Sequence, residues 1–112
     1  MKFILDENIK EQKFEKFKDG LGFLKAYMHI DQDNKILRAT LEKGCSIGIH
    51  EHTDSSEIVY IISGKGKAIC DQVVEELLPG NIHYCPKGSS HTLINECDEP
   101  LVFFAVIPTH RG

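Results

Sequence analysis

The sequence predicts an all-β domain, a sandwich or a barrel. Three observations carry that expectation. Short segments rich in β-branched and aromatic residues recur along the chain, with apolar positions alternating at a period of two. Turns of Gly, Pro, Asn and Asp separate them at roughly 8–12-residue spacing. Only one stretch shows helical spacing, and weakly.

That stretch comes first. In "IKEQKFEKFKDG", Ile9, Phe14 and Phe17 fall loosely on one helical face, charges lie between them, and Gly20 reads as a stop. "FLKAYMHI" then puts Leu24, Ala26, Met28 and Ile30 on one side of a strand. "DQDNK" reads as a turn. "ILRATLE" resumes the alternation with Leu37, Ala39 and Leu41, so the two strands form a hairpin. In "GCSIGIHEH" strict alternation puts Ile47 and Ile49 on one face and His50 and His52 on the other. "EIVYIISG" is β-branched and ends in a glycine turn. "GKAIC" and "VEELLPG" flank a turn near Asp71, and "NIHYCPKG" and "HTLINE" are strands around "PKGSS". "LVFFAVIP" is apolar throughout, so burial on both faces is expected. Two-sided apolar strands in so short a chain point to a partner subunit, a homodimer first because two-fold closure is the commonest arrangement.

Composition sets the limits. With 112 residues the chain has room for one domain, read as 1–112. Its 41% hydrophobic content exceeds that of disordered chains, so one core is expected. The net charge of −4 and the lack of a basic stripe argue against nucleic acid and anionic membranes as partners. The first residues offer an apolar run of only Phe3, Ile4 and Leu5, too short for a signal peptide. A membrane helix needs about 20 apolar residues, and nothing approaches that. A soluble cytoplasmic protein is the expectation. Cys45, Cys70, Cys85 and Cys97 stand apart with no C-x-x-C pair, which in a reducing compartment reads as four free thiols.

The chemistry concentrates in "HEHTDSSE". His50 and His52, one residue apart on a strand, point the same way. Glu57 opens the next strand, in phase with Val59 and Ile61. If those face the interior, the carboxylate does too, at a cost unless it meets a cation or donors. Two imidazoles beside a carboxylate suit a first-row metal with open positions, and His91 after "PKGSS" is a candidate third histidine.

Spacing then adds a resemblance. Residues 44–64 match G-x5-H-x-H-x4-E-x6-G, and residues 80–95 match G-x5-P-x-G-x2-H-x3-N, at every named position. These are the two cupin motifs, and the chain resembles a small single-domain cupin. The resemblance implies a double-stranded β-helix, the cupin jelly-roll barrel, holding one divalent transition metal on His50, His52, Glu57 and His91. Imidazole and carboxylate suit Fe, Mn, Ni, Zn or Cu. It implies glycines at tight turns and Pro86 fixing the bend before the last ligand strand. Cupins resembling this one include dioxygenases, isomerases and lyases, so a metal-dependent enzyme on a small organic molecule is the first functional reading. A non-catalytic ligand-binding or sensing module is the alternative. Phe103, Phe104 and Val106 on the last strand, with no acid there, suggest an aromatic, apolar pocket. Cupins that open uronate sugars carry an acid at that place.

The remaining polar residues have plainer expectations. His29 ends a strand and is placed near the barrel mouth. His83 is read as structural or exposed, and His110 as part of a solvated, disordered tail. Tyr60 faces away from Glu57, and Arg38 is a solvated surface arginine.

Overall fold

The computed structural model describes Lys2, Phe3 and residues 5–111. Ile4, in the short apolar run, lies outside the described residues. The chain runs α1 (Leu5–Asn8), β1 (Gln12–Glu15), a short 3-10 helix η1 (Phe17–Asp19), β2 (Phe23–Ile30), β3 (Asn34–Leu41), β4 (Ser46–Glu51) and β5 (Glu57–Ser63). It continues through β6 (Gly66–Cys70), β7 (Val73–Leu77), β8 (Ile82–Cys85), β9 (Ser90–Ile94) and β10 (Leu101–Pro108). Two antiparallel sheets result, in the orders β1-β2-β3-β10-β5-β8 and β4-β9-β6-β7. They face each other as a jelly roll of cupin type, and hydrogen bonding does not close them into one continuous barrel.

Alternation explains most of this architecture. Leu24 and Ala26 of β2, Leu37, Ala39 and Leu41 of β3, and Val59 and Ile61 of β5 all turn inward and are buried. Leu93, Leu101 and Phe103 meet them from β9 and β10. Each large side chain so buried is worth about 1.5–3 kcal/mol relative to exposure. The expected β2–β3 hairpin forms, with Lys25 opposite Thr40 and Ile30 opposite Lys35.

Four expectations fail, each for a physical reason. The helix over residues 9–20 is absent. Gln12–Glu15 instead pair with Phe23–Ala26 as an edge strand, and η1 follows. Ladder hydrogen bonds and burial of Phe14 and Phe17 outweigh a weak helical period. Ile47 and Ile49 do not share a face: Ile47 is buried and Ile49 is 70% exposed. β10 buries only one face, through Leu101, Phe103 and Ala105, while Phe104 on the other is 38% exposed. The tail is held in place. The His110 N–H donates to the Asp54 carbonyl (2.7 Å), and the His110 ring meets the Ser56 hydroxyl (2.8 Å).

The motif glycines sit where the sequence placed turns. Gly44, Gly64, Gly80 and Gly88 have φ between +79° and +90°, a region that disfavours side chains. At Gly64 a Cβ would also lie 2.1 Å from the Pro100 carbonyl oxygen. Asn95, fully buried, donates from Nδ2 to the carbonyls of Leu41 and Glu99 and accepts from the Cys97 N–H. Its place in the motif is therefore a clasp on the turn before β10.

Candidate metal centre

The bulge that separates Ile47 from Ile49 also builds the site. Ile47 pairs with Leu93, and His50 pairs with His91, so three steps on β4 oppose two on β9. One extra residue on β4 reverses its phase. Ile47 thus reaches the core, and His50 and His52 point inward beyond it. The Thr92 hydroxyl donates to the Ile47 carbonyl at the bulge. Past the end of β4, the His52 N–H donates to the Ser89 carbonyl (3.0 Å) and the Gly88 N–H to the His52 carbonyl (2.7 Å). The turn between β8 and β9 therefore fixes His52. Glu57 enters at the start of β5 opposite Cys85, in phase with Val59 and Ile61 as expected.

The structure brings all four predicted residues together. His91 Nε2 lies 3.1 Å from the Nε2 atoms of both His50 and His52, and 3.0 Å from Glu57 Oε1. Glu57 Oε1 is 3.2 Å from His52 Nε2 and 4.0 Å from His50 Nε2. The ligand atoms all fall within 4.8 Å of one another, and the cluster could hold one metal ion. His52, Glu57 and His91 are buried, and His50 is half-buried.

The far side of each ring decides what its near side offers. His50 Nδ1 is 2.8 Å from the Gly48 carbonyl, which can only accept. A neutral His50 therefore donates from Nδ1–H and turns a bare Nε2 inward. His52 Nδ1 meets the Ser55 hydroxyl at 2.8 Å. His91 Nδ1 meets His83 Nε2 at 2.9 Å, and His83 Nδ1 meets Glu75 Oε1 at 2.6 Å. Burial pushes the Glu57 carboxyl upward, but the three imidazoles facing it outweigh burial and hold it well below the usual carboxylate range. Burial lowers His91, against the pull of Glu57. An ionised carboxylate and three imidazole nitrogens converging at about 3 Å can share protons or hold a divalent metal between them. The donor set fits such an ion.

His50, His52 and Glu57 of the cluster line a cavity of about 380 Å³, within the usual size range for small-molecule sites, while His91 lies fully buried behind them. Phe14, Phe17, Met28, Leu37 and Ile107 contribute apolar wall, with Lys18 and Lys35 also lining it. The pocket is apolar, as expected, but its aromatic rings are different ones. Phe103 packs into the core, and Phe104 lies on the outer face. Phe14 and Phe17, 5.2 Å apart, line the cavity instead.

Other expectations resolve around this geometry. His29 does not line the cavity. It hydrogen-bonds Asp31 (3.0 Å) and packs on Phe3 (4.6 Å between ring centres). Arg38 is exposed on the outer face, opposite Phe104. The cysteines are free thiols outside the cluster, and burial pushes Cys85 up to about 12. Sequence reasoning missed Glu75 and the buried contacts of His83. Phase held the only signal: Glu75 alternates with buried Leu77, and His83 with buried Cys85.

Similarity to known proteins agrees with the geometry. The family model for the cupin domain matches residues 37–107. The chain belongs to the cupin family. Among curated proteins, this cupin is 35% identical over 69 residues to a glucose-6-phosphate isomerase of Thermococcus onnurineus, a match covering 56% of the chain and 36% of that protein. It is 33% identical over 70 residues to an oxalate-binding protein of Thermotoga maritima, covering 62% of the chain and 58% of that protein. The chain thus spans between a third and three-fifths of these relatives' lengths. Among solved structures, a protein described as a predicted oxalate decarboxylase from Thermotoga maritima superposes with a TM-score of 0.90 at 24% identity, covering 97% of this chain and 99% of that one. At that identity the likeness speaks for the fold.

Proposed function

We propose that this cupin is a metal-dependent enzyme acting on a small organic molecule, with His50, His52, Glu57 and His91 binding one divalent transition metal. The observation that carries the proposal is the position of the cluster. Three of its four residues, His50, His52 and Glu57, line a cavity rather than closed core. Four protein ligands leave two places of an octahedron for substrate, water or dioxygen. A metal bound there would supply Lewis-acid activation of an oxygen donor or, as iron, dioxygen chemistry. The chain's own residues would do the rest. Phe14, Phe17, Met28 and Leu37 would exclude water and hold an apolar body. The names of the curated relatives, an oxalate-binding protein and sugar-phosphate isomerases, fit a compact oxygen-donor ligand. Dioxygenase, isomerase and lyase reactions all suit this site, and the resident metal would choose among them.

Elemental analysis of tag-free protein beside the His50→Ala/His52→Ala double variant tests the first half. One equivalent of transition metal per chain, lost in the variant, is expected. Metal absent from both after reconstitution would sink the proposal. Substrate turnover that disappears in His52→Ala tests the second half. The relative named for binding oxalate favours one other reading, a non-catalytic binding module. That reading predicts tight ligand binding with no turnover under air on any reconstituted metal.

A further inference from the structure

His83 is a buried polar side chain that the ligand set does not use. It comes from β8, the edge of the six-stranded sheet. Glu75 comes from β7, the edge of the other sheet, and His91 from β9 within it. The three form a file: Glu75 Oε1 to His83 Nδ1 at 2.6 Å, then His83 Nε2 to His91 Nδ1 at 2.9 Å. The His83 and His91 rings lie near parallel, at 18°. The outer end of the file reaches solvent, since the Glu75 side chain is 47% exposed while that of His83 is fully buried.

With Glu75 ionised and His83 neutral, the file has a direction. An ionised carboxylate only accepts, so His83 donates from Nδ1–H. A neutral imidazole has one N–H, so His83 Nε2 is then the acceptor. His91 must donate to it from Nδ1–H, and its Nε2 is left bare, facing Glu57 and the other two histidines. A ring held at its far nitrogen is fixed in both tautomer and orientation, a contribution that can be worth 10–100-fold in metal affinity.

We propose that Glu75 and His83 are positioning residues for the metal centre, a hydrogen-bonded file that sets His91 with its Nε2 lone pair toward the ion. This rests on the metal-binding reading above. The alternative role for the file is a clasp between two sheet edges, and the test separates the two. Co(II) alone is titrated into metal-free protein against a competing chelator, and its visible absorption band is recorded as a signature of the ligand set. Metal-free melting temperatures are measured alongside. His83→Phe keeps a ring and removes the acceptor; Co(II) binding weakened by roughly 10–100-fold, with a changed band, is expected. Glu75→Ala should weaken binding less, because water reaches that end. Glu75→Gln should restore most of the loss, because its amide oxygen accepts the same bond. Unchanged Co(II) affinity and band in folded His83→Phe overturns the inference, as does a Glu75→Ala loss that Glu75→Gln leaves uncorrected. Should His83→Phe not fold, the Glu75 pair decides, since that side chain is half exposed. Wild-type protein that takes up no Co(II) overturns the metal reading itself, and this inference with it.

Discussion

Glu57 and His91 depart from their ordinary titration in the same direction, and that fixes how acid acts on the protein. His91 is lowered from 6.5 by burial, so below about pH 6.5 the unfolded chain binds a proton that the folded chain refuses. Folding without metal therefore loses stability as pH falls through that range. Glu57 lies well below 4.5 in the fold, so its contribution is present above about pH 4.5 and is lost as pH falls toward its folded value. The melting temperature of metal-free protein should accordingly decline from pH 7 to pH 4. Bound metal adds the same sign, because histidine ligands must be deprotonated. Stepwise dialysis with elemental analysis should show retention falling below about pH 6.5. Full occupancy at pH 4 would contradict three histidine ligands. The four clustered residues were legible in the sequence: spacing puts His50 and His52 on one face and Glu57 in step with Val59, and the motif resemblance adds His91. The Glu75–His83 file was not legible. It joins strands from two sheets, and "IHYC" places its larger apolar residues, Ile82 and Tyr84, outward, so alternation by hydrophobicity points the wrong way.

At the scale of the element, β4 and the segment packed on it decide the shape of the site. Simple alternation would have put Ile47 outside with Ile49. The bulge lets one short strand serve the core at Ile47 and the candidate metal centre at His50. A bulge leaves no mark in a pattern of period two, which is why it was not foreseen. Gly48 sits within it, and a Cβ there would fall 1.9 Å from the Lys18 carbonyl oxygen and 2.7 Å from its carbon. Both are backbone atoms of η1 and cannot swing aside. A Cβ on Gly20 would likewise fall 2.1 Å from the Ser46 carbonyl oxygen of β4, so Gly20 both ends η1 and permits its close packing on β4. Gly48→Ala should therefore push η1 off β4. Overpacking of this kind costs about 1–3 kcal/mol, and each kcal/mol lowers the melting temperature of a domain near this size by roughly 4–8 °C. Because Phe17 and Lys18 line the cavity, the variant should also weaken ligand binding while leaving metal stoichiometry intact. A melting temperature equal to wild type would show that η1 yields without cost.

At the scale of the whole molecule, the outer face of β10, β5 and β8 is the feature that folding alone does not explain. Phe104 lies beside Tyr60, and Tyr60 beside Ile82; Val106 lies beside Ile58, and Ile58 beside Tyr84. Ile58, Tyr60, Ile82, Tyr84 and Phe104 range from 38% to 68% exposed, so the face is one continuous apolar patch on three neighbouring strands. Large apolar patches on soluble chains mark contact surfaces. The apolar run of β10 led to the same expectation from sequence, because its second face needs a cover. We propose a second copy of the chain as that cover, related by a two-fold axis that sets each patch on its mate. Such a dimer would leave the metal cluster untouched, since Glu57, Val59 and Ile61 occupy the opposite face of β5 from Ile58 and Tyr60. Sedimentation equilibrium should give twice the chain mass for wild type. Tyr60→Glu/Phe104→Glu should give the single mass, since a charge forced into an apolar contact is not tolerated without a partner. That double variant should still bind metal. A wild-type chain that sediments as a monomer at tens of micromolar would refute the dimer and leave the patch without its proposed cover. Loss of metal together with dimer would mean that the partner's contact supports the cluster through β5.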